Sequence, residues 1–81
     1  MAKTLKTGDV KRYPNYGNKV LVADKHRWVT LCEQASNNMF GFITREQARK
    51  DASILARNGY MARIAKIIKR GPKFLFVEVS K

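Results

Sequence analysis

The chain has 81 residues, of which 17 are Lys or Arg and 6 are Asp or Glu, and its formal net charge is +11. This length fits a single basic domain over 1–81, and the apolar fraction of 44% is typical of a folded chain rather than a disordered one. The longest apolar runs, at 20–23 and 74–77, are far too short to span a bilayer.

The first eighteen residues are polar and basic, and they predict turns and loops rather than a core element. Thr7-Gly8-Asp9 is typical of a turn, and 13–18 is typical of a loop because Pro and Gly constrain or free the backbone there. Val10 can mark a short strand between them. We interpret residues 1–18 as a basic arm, for which a flexible conformation is one alternative.

Strands are predicted in the next segment. Residues 19–23 are apolar and β-branched, 24–25 are typical of a tight turn, and 26–33 predict a second strand. A polar loop at 35–38 separates this strand from a short third strand at 39–43.

One helix has the clearest signals in the sequence. Thr44 is a good N-cap, and Gln47 three residues later completes a capping box. Gly59 suits the left-handed position that follows a helix. The predicted helix has one narrow apolar face at i, i+4, i+7, made of Ala48, Ala52 and Leu55.

Two more strands complete the chain, at 60–69 and 73–79, with a turn at 70–72 between them. The continuous apolar run at 74–77 predicts a strand that is covered on both faces or wrapped into the core as an end strand. The order β-β-(β)-α-β-β predicts an α+β fold, with a small antiparallel sheet and one helix packed on one face.

The net charge of +11 favours a polyanionic partner. Self-repulsion destabilises a compact chain, whereas neutralising phosphates releases condensed counterions. We therefore expect a nucleic acid, DNA or RNA, as the partner. An acidic protein, an anionic membrane surface and solubility alone are the alternatives. We expect neither a membrane partner nor a small-molecule substrate.

Three groups of residues are the candidate nucleic-acid contacts, and each has a structural alternative. The outer face of the helix carries Arg45, Arg49, Lys50 and Arg57. The tip of the last hairpin carries Lys69, Arg70 and Lys73. The N-terminal segment carries Lys11, Arg12 and Tyr13. Their alternative roles are a solvated helix face, protection of strand ends from aggregation, and a tyrosine that covers the core.

Catalytic residues are not predicted. His26 and Cys32 are the only His and Cys, and on an extended strand they lie about 20 Å apart. They provide neither a nucleophile pair nor a zinc-ligand cluster, and no Gly-rich phosphate loop is present. We therefore expect no metal, no cofactor and no enzyme. A small metal-dependent nuclease is the remaining enzymatic alternative, because folding can bring distant acids together.

The single cysteine and the polar N-terminus lead us to expect a cytoplasmic protein, associated with the nucleoid if it binds DNA. In its order of strands and helix, the chain loosely resembles small DNA-binding modules of mobile elements. It also resembles the compact proteins that phages make against host machinery. The second resemblance implies an alternative function. An inhibitor or adaptor would bind an acidic or nucleic-acid-binding surface of a larger protein machine.

Overall fold

The computed structural model describes residues 6–15, 22–32 and 40–80. These residues form five strands and one helix: β1 (Val10–Pro14), β2 (Trp28–Cys32), β3 (Gly41–Phe42), α1 (Arg45–Arg57), β4 (Ala62–Arg70) and β5 (Phe74–Ser80). The strands make one antiparallel sheet in the order β1-β5-β4-β2-β3, and α1 packs on it. The predicted α+β fold is therefore confirmed. No helix in the described ranges is long and apolar enough to cross a membrane.

The N-terminal segment contributes an edge strand to the sheet. Tyr13 and Pro14, predicted as loop, belong to β1 and pair with Leu75 and Phe74 of β5. Sequence-local signals missed this because the partner strand is about sixty residues away along the chain. Pro14 is tolerated because it ends a strand at the edge of the sheet.

The two turns predicted in the first third of the chain are confirmed. Gly8 has a positive φ of 93°, and the Asp9 N–H donates to the Lys6 carbonyl at 3.0 Å. At the second turn the His26 N–H donates to the Ala23 carbonyl at 3.0 Å. Of the strand predicted at 19–23, residues 19–21 lie outside the described residues, and the two that follow are not in a strand.

One face of the sheet, which we call the core face, carries the hydrophobic core. Its buried side chains come from the three central strands: Val29, Leu31, Ala65, Leu75, Val77 and Val79. Tyr13, Val22 and Ile67 are partly buried against this cluster. Burying aliphatic side chains of this size stabilises a fold by roughly 1.5–3 kcal/mol each.

The helix lies on the opposite face, which we call the helix face. The Thr30 hydroxyl on β2 donates to the Asp51 carboxylate on α1 at 2.8 Å. Ala48, which is also a residue of α1, is fully buried. The predicted capping box is present, since the Gln47 N–H donates to Thr44 Oγ1 at 3.2 Å and Gln47 Oε1 accepts from the Thr44 N–H. Gly59 follows the helix with φ 87°, as predicted.

A β-bulge interrupts the hairpin between β4 and β5. Ile67 lies opposite Val77, but the next pair joins Lys69 to Phe76, so Ile68 is an extra residue. An extra residue shifts every later side chain of the strand to the other face. The bulge therefore places Lys69 on the helix face and Arg70 on the core face.

Candidate functional site

The helix covers only part of the helix face. On this face one row of directly opposed residues crosses all five strands: Val10, Glu78, Lys66, Trp28 and Phe42. The principal contacts of α1 are with β2, β3 and β4, at one end of this row. The other end is not covered by the helix, and we call it the open sheet half; six of its seven side chains are exposed, and Phe76 is half-buried. The open sheet half consists of Val10, Arg12, Lys66, Lys69, Phe74, Phe76 and Glu78.

Cations and aromatic rings are in contact on the open sheet half. The Arg12 guanidinium lies 4.7 Å from the centroid of the Phe74 ring, and Lys69 Nζ lies 5.8 Å from that of Phe76. Both are cation–π geometries, in which the negative face of the ring attracts the cation. Arg12 and Lys69 both lie opposite Phe76, on the two strands that flank β5.

The helix places basic side chains beside this surface. At its N-terminal end Arg45 lies over the Trp28 ring, 6.0 Å from the centroid. A shallow cleft of about 230 Å³ separates α1 from β4, and Arg49 is among the residues that line it. In the sheet, β4 lies between β2 and β5. The side of the helix that lines this cleft is therefore the side nearest to the open sheet half.

The structure brings many of the predicted contacts to one side of the sheet. The four helix cations Arg45, Arg49, Lys50 and Arg57 are exposed, and the helix that carries them lies on the helix face. Arg12 and Lys69 point to the same face from the sheet itself. Lys73 is exposed in the turn between β4 and β5.

Three predicted contacts point elsewhere. Lys11 lies opposite buried Val77, and Tyr13 lies partly buried against the core, where burial raises the pKa of its phenol. Arg70 donates to the backbone carbonyls of Ala23 and His26. Arg70 thus ties the β4 end to the turn before β2, and we assign it a structural role.

Sequence reasoning missed two residues of the open sheet half, Phe74 and Phe76. The run at 74–77 was predicted to be covered on both faces or wrapped into the core. In the structure β5 is a central strand whose odd-numbered side chains are buried, whereas Phe74 is 36% exposed. Leu75, Val77 and Val79 alternate with Phe74, Phe76 and Glu78 in the sequence, and this alternation was the available signal.

His26 contributes to the turn that precedes β2. His26 Nδ1 accepts the Ala23 N–H at 2.9 Å, which gives the ring a role in the turn. Burial lowers the pKa of His26, and the positive charges of Lys25 and Arg70 lower it further. Within 6–15, 22–32 and 40–80, no cluster of three or more His, Cys, Asp or Glu residues is able to hold a metal.

Comparisons of the chain with models of protein families, with curated proteins and with solved structures find no match. The surface formed by the helix cations and the open sheet half is therefore interpreted from its own geometry and charge.

Proposed function

We propose that this protein binds nucleic acid through the helix-bearing side of its sheet. The observation that carries the proposal is that cations from three separate elements converge on that side: Arg12 of β1, Lys66 and Lys69 of β4, and Arg45, Arg49, Lys50 and Arg57 of α1. The same side carries these seven cations but only three acidic residues among those the structure describes, namely Glu46, Asp51 and Glu78.

The arrangement suits contact with a phosphate backbone. Exposed arginine and lysine side chains donate to phosphate oxygens, and a guanidinium presents two parallel donors to one phosphate. The excess of positive charge also raises the association rate by attracting the polyanion from a distance. Solubility alone would not require the cations to gather on one side, around a surface that contains aromatic rings.

On the opposite side of the sheet, two arginines donate to acceptors of the protein itself. Arg63 donates to the Thr7 hydroxyl at 2.7 Å and to the Ser80 carbonyl, and Arg70 donates to two backbone carbonyls. A guanidinium that is already satisfied by protein acceptors has fewer donors left for a ligand. The described part of the core face is therefore the less favourable surface for phosphates.

A salt-titrated binding assay tests the proposal. Fluorescence anisotropy would follow the affinity for single-stranded DNA, RNA and duplex DNA from low to physiological salt. With about 4–6 phosphates contacted, the slope of log K against log salt is about −3 to −4 on single strands. Replacing Arg49 and Arg57 by Glu should weaken binding to every sequence. Absence of binding to all three probes at low salt would contradict the proposal.

A protein partner is the second candidate, and it is favoured by the edge of the sheet around β3. Phe40 and Ile43 flank this two-residue edge strand, and they are 51% and 49% exposed. Exposed apolar side chains beside an unpaired edge are common in protein-binding surfaces. Affinity capture after nuclease treatment would test it, since a stoichiometric protein that survives the treatment supports an inhibitor or adaptor.

A further inference from the structure

We infer that the open sheet half is a base-stacking platform, and that the nucleic acid it takes is single-stranded. This inference rests on the proposed function and names its substrate class. Phe74 and Phe76 provide the stacking surfaces, and Arg12 and Lys69 provide the phosphate contacts on either side of them.

The aromatic rings of β5 are not needed to fill the core. Leu75, Val77 and Val79 alternate with them along the strand, and each of these three is almost completely buried on the core face. Phe74, by contrast, is 36% exposed on the helix face. Large apolar side chains clustered at a surface commonly mark a binding site.

The spacing of the platform fits an extended strand of nucleotides. Phe74 and Phe76 are two residues apart on one β-strand, so their attachment points are about 6.6–6.8 Å apart. Arg12 and Lys69 lie on the strands to either side, so their backbones are about 10 Å apart across the sheet. Unstacked bases can therefore lie on the rings while flanking cations contact phosphates.

The contact between Arg12 and Phe74 adds to the platform rather than blocking it. A guanidinium is planar and stacks on bases as aromatic rings do. The Arg12 guanidinium lies over the Phe74 ring, 4.7 Å from its centroid. It can therefore take part in the stack while its N–H groups, which lie in its plane, donate to a phosphate.

Single strands are favoured over duplexes for a physical reason. In a duplex the faces of the bases are stacked on each other, so a sheet surface can reach only the backbone and the groove edges. Unpaired bases offer free faces, and stacking on aromatic side chains strengthens binding without sequence preference. Phe rings on the surface of a sheet therefore favour unpaired nucleotides.

The test uses oligothymidine and an abasic oligonucleotide of equal length, which has the same phosphates but no bases. The wild-type protein should bind oligothymidine more tightly than both the abasic probe and a duplex of that length, by roughly 5- to 150-fold for each stacked base. Replacing Phe74 and Phe76 by Leu should remove most of this preference and leave the abasic affinity unchanged.

Tyr60→Leu is the matched control, since Tyr60 is 44% exposed and lies beyond the end of the helix, outside the open sheet half. It should keep the full preference for oligothymidine. Equal wild-type affinity for oligothymidine and the abasic probe, or tighter binding to duplex, would overturn the platform and leave the phosphate contacts standing. No binding to any probe would overturn the proposed function and the platform together. The probe comparison needs no variant, so it holds even if the Leu substitutions unfold the protein.

Discussion

Lys69 and Arg70 are neighbours in the chain, yet they point to opposite faces of the sheet with different roles. The extra residue Ile68 sets this arrangement, because it moves Lys69 opposite Phe76 and Arg70 opposite Leu75. In a regular ladder Lys69 would face the core and Arg70 would face the open sheet half. The bulge therefore leaves Lys69 exposed over the Phe76 ring and lets Arg70 donate to the backbone carbonyls of Ala23 and His26.

Substituting these two neighbours should separate binding from stability. Arg70→Met removes the hydrogen bonds to the Ala23 and His26 carbonyls, so it should lower the free energy of unfolding by roughly 2 kcal/mol. Lys69→Met should change the free energy of unfolding by less than about 0.5 kcal/mol, because substitutions of exposed side chains usually have small effects on stability. Urea denaturation measures both. Affinity for oligothymidine, per folded molecule, should fall for Lys69→Met and stay constant for Arg70→Met. The reverse pattern would show that the assigned roles are wrong.

The fold should lose stability in mild acid through His26. Its neutral Nδ1 accepts the Ala23 N–H, and its pKa is lowered by burial and by the positive charges of Lys25 and Arg70. The unfolded chain, with a pKa near 6.5, then takes up the proton first as the pH falls. The contribution of neutral His26 to the free energy of unfolding is complete above pH 6.5. It is lost as the pH falls toward the lowered pKa of the folded state.

Urea midpoints at pH 7.5 and pH 5.5 measure this loss. His26→Asn is the control, because a carboxamide oxygen can accept the same N–H but does not titrate in this range. The variant should show a smaller difference between the two pH values than the wild type. An equal difference in both proteins would assign the acid sensitivity to other groups.

Gly41 should not tolerate a side chain. A Cβ at this position would overlap the imidazole ring of His26, which is also held by its bond to the Ala23 N–H. Gly41→Ala should therefore lower the free energy of unfolding by roughly 1–3 kcal/mol, as overpacking does. The same substitution in a His26→Ala background should cost less, and a double-mutant cycle measures the coupling. Additive effects would show that the two residues do not meet.

The hydrogen bond between Thr30 and Asp51 should contribute to docking of the helix. Thr30→Val keeps the shape of a side chain that is only 6% exposed but removes the hydroxyl that donates to the carboxylate. The expected loss is roughly 1–2 kcal/mol in the free energy of unfolding, because Asp51 loses a donor in a partly buried position. Thermal denaturation would detect it, and an unchanged melting temperature would argue against this contact.

Some of these features could be predicted from the sequence because their signals are local. The helix bounds follow from Thr44, Gln47 and Gly59, whose roles depend on residues three or four positions away. The turns at 7–9 and 24–25 are equally local. The order of elements then leaves an α+β sheet with one helix as the natural packing.

The rest depends on pairing between distant segments. Nothing near Tyr13 and Pro14 indicates that they join β5, and no glycine marks the bulge at Ile68. Regular alternation that takes no account of the bulge assigns Lys69 and Arg70 to the wrong faces. The position of Phe74 and Phe76 on the helix face could have been inferred from the alternation along β5, which a continuous apolar run conceals.

We propose that the helix face, and not positive charge in general, contacts the nucleic acid. Arg12→Gln with Lys69→Gln removes two cations from the open sheet half, and Lys11→Gln with Lys25→Gln removes two from elsewhere. The decisive measurement is the salt dependence of affinity for a single-stranded oligonucleotide. The first pair should reduce the magnitude of the log–log slope by about 1.4, from about 0.7 per phosphate contact, and the second should leave it unchanged. Equal reductions in both pairs would contradict binding through the helix face, because the charge would then act without regard to its position.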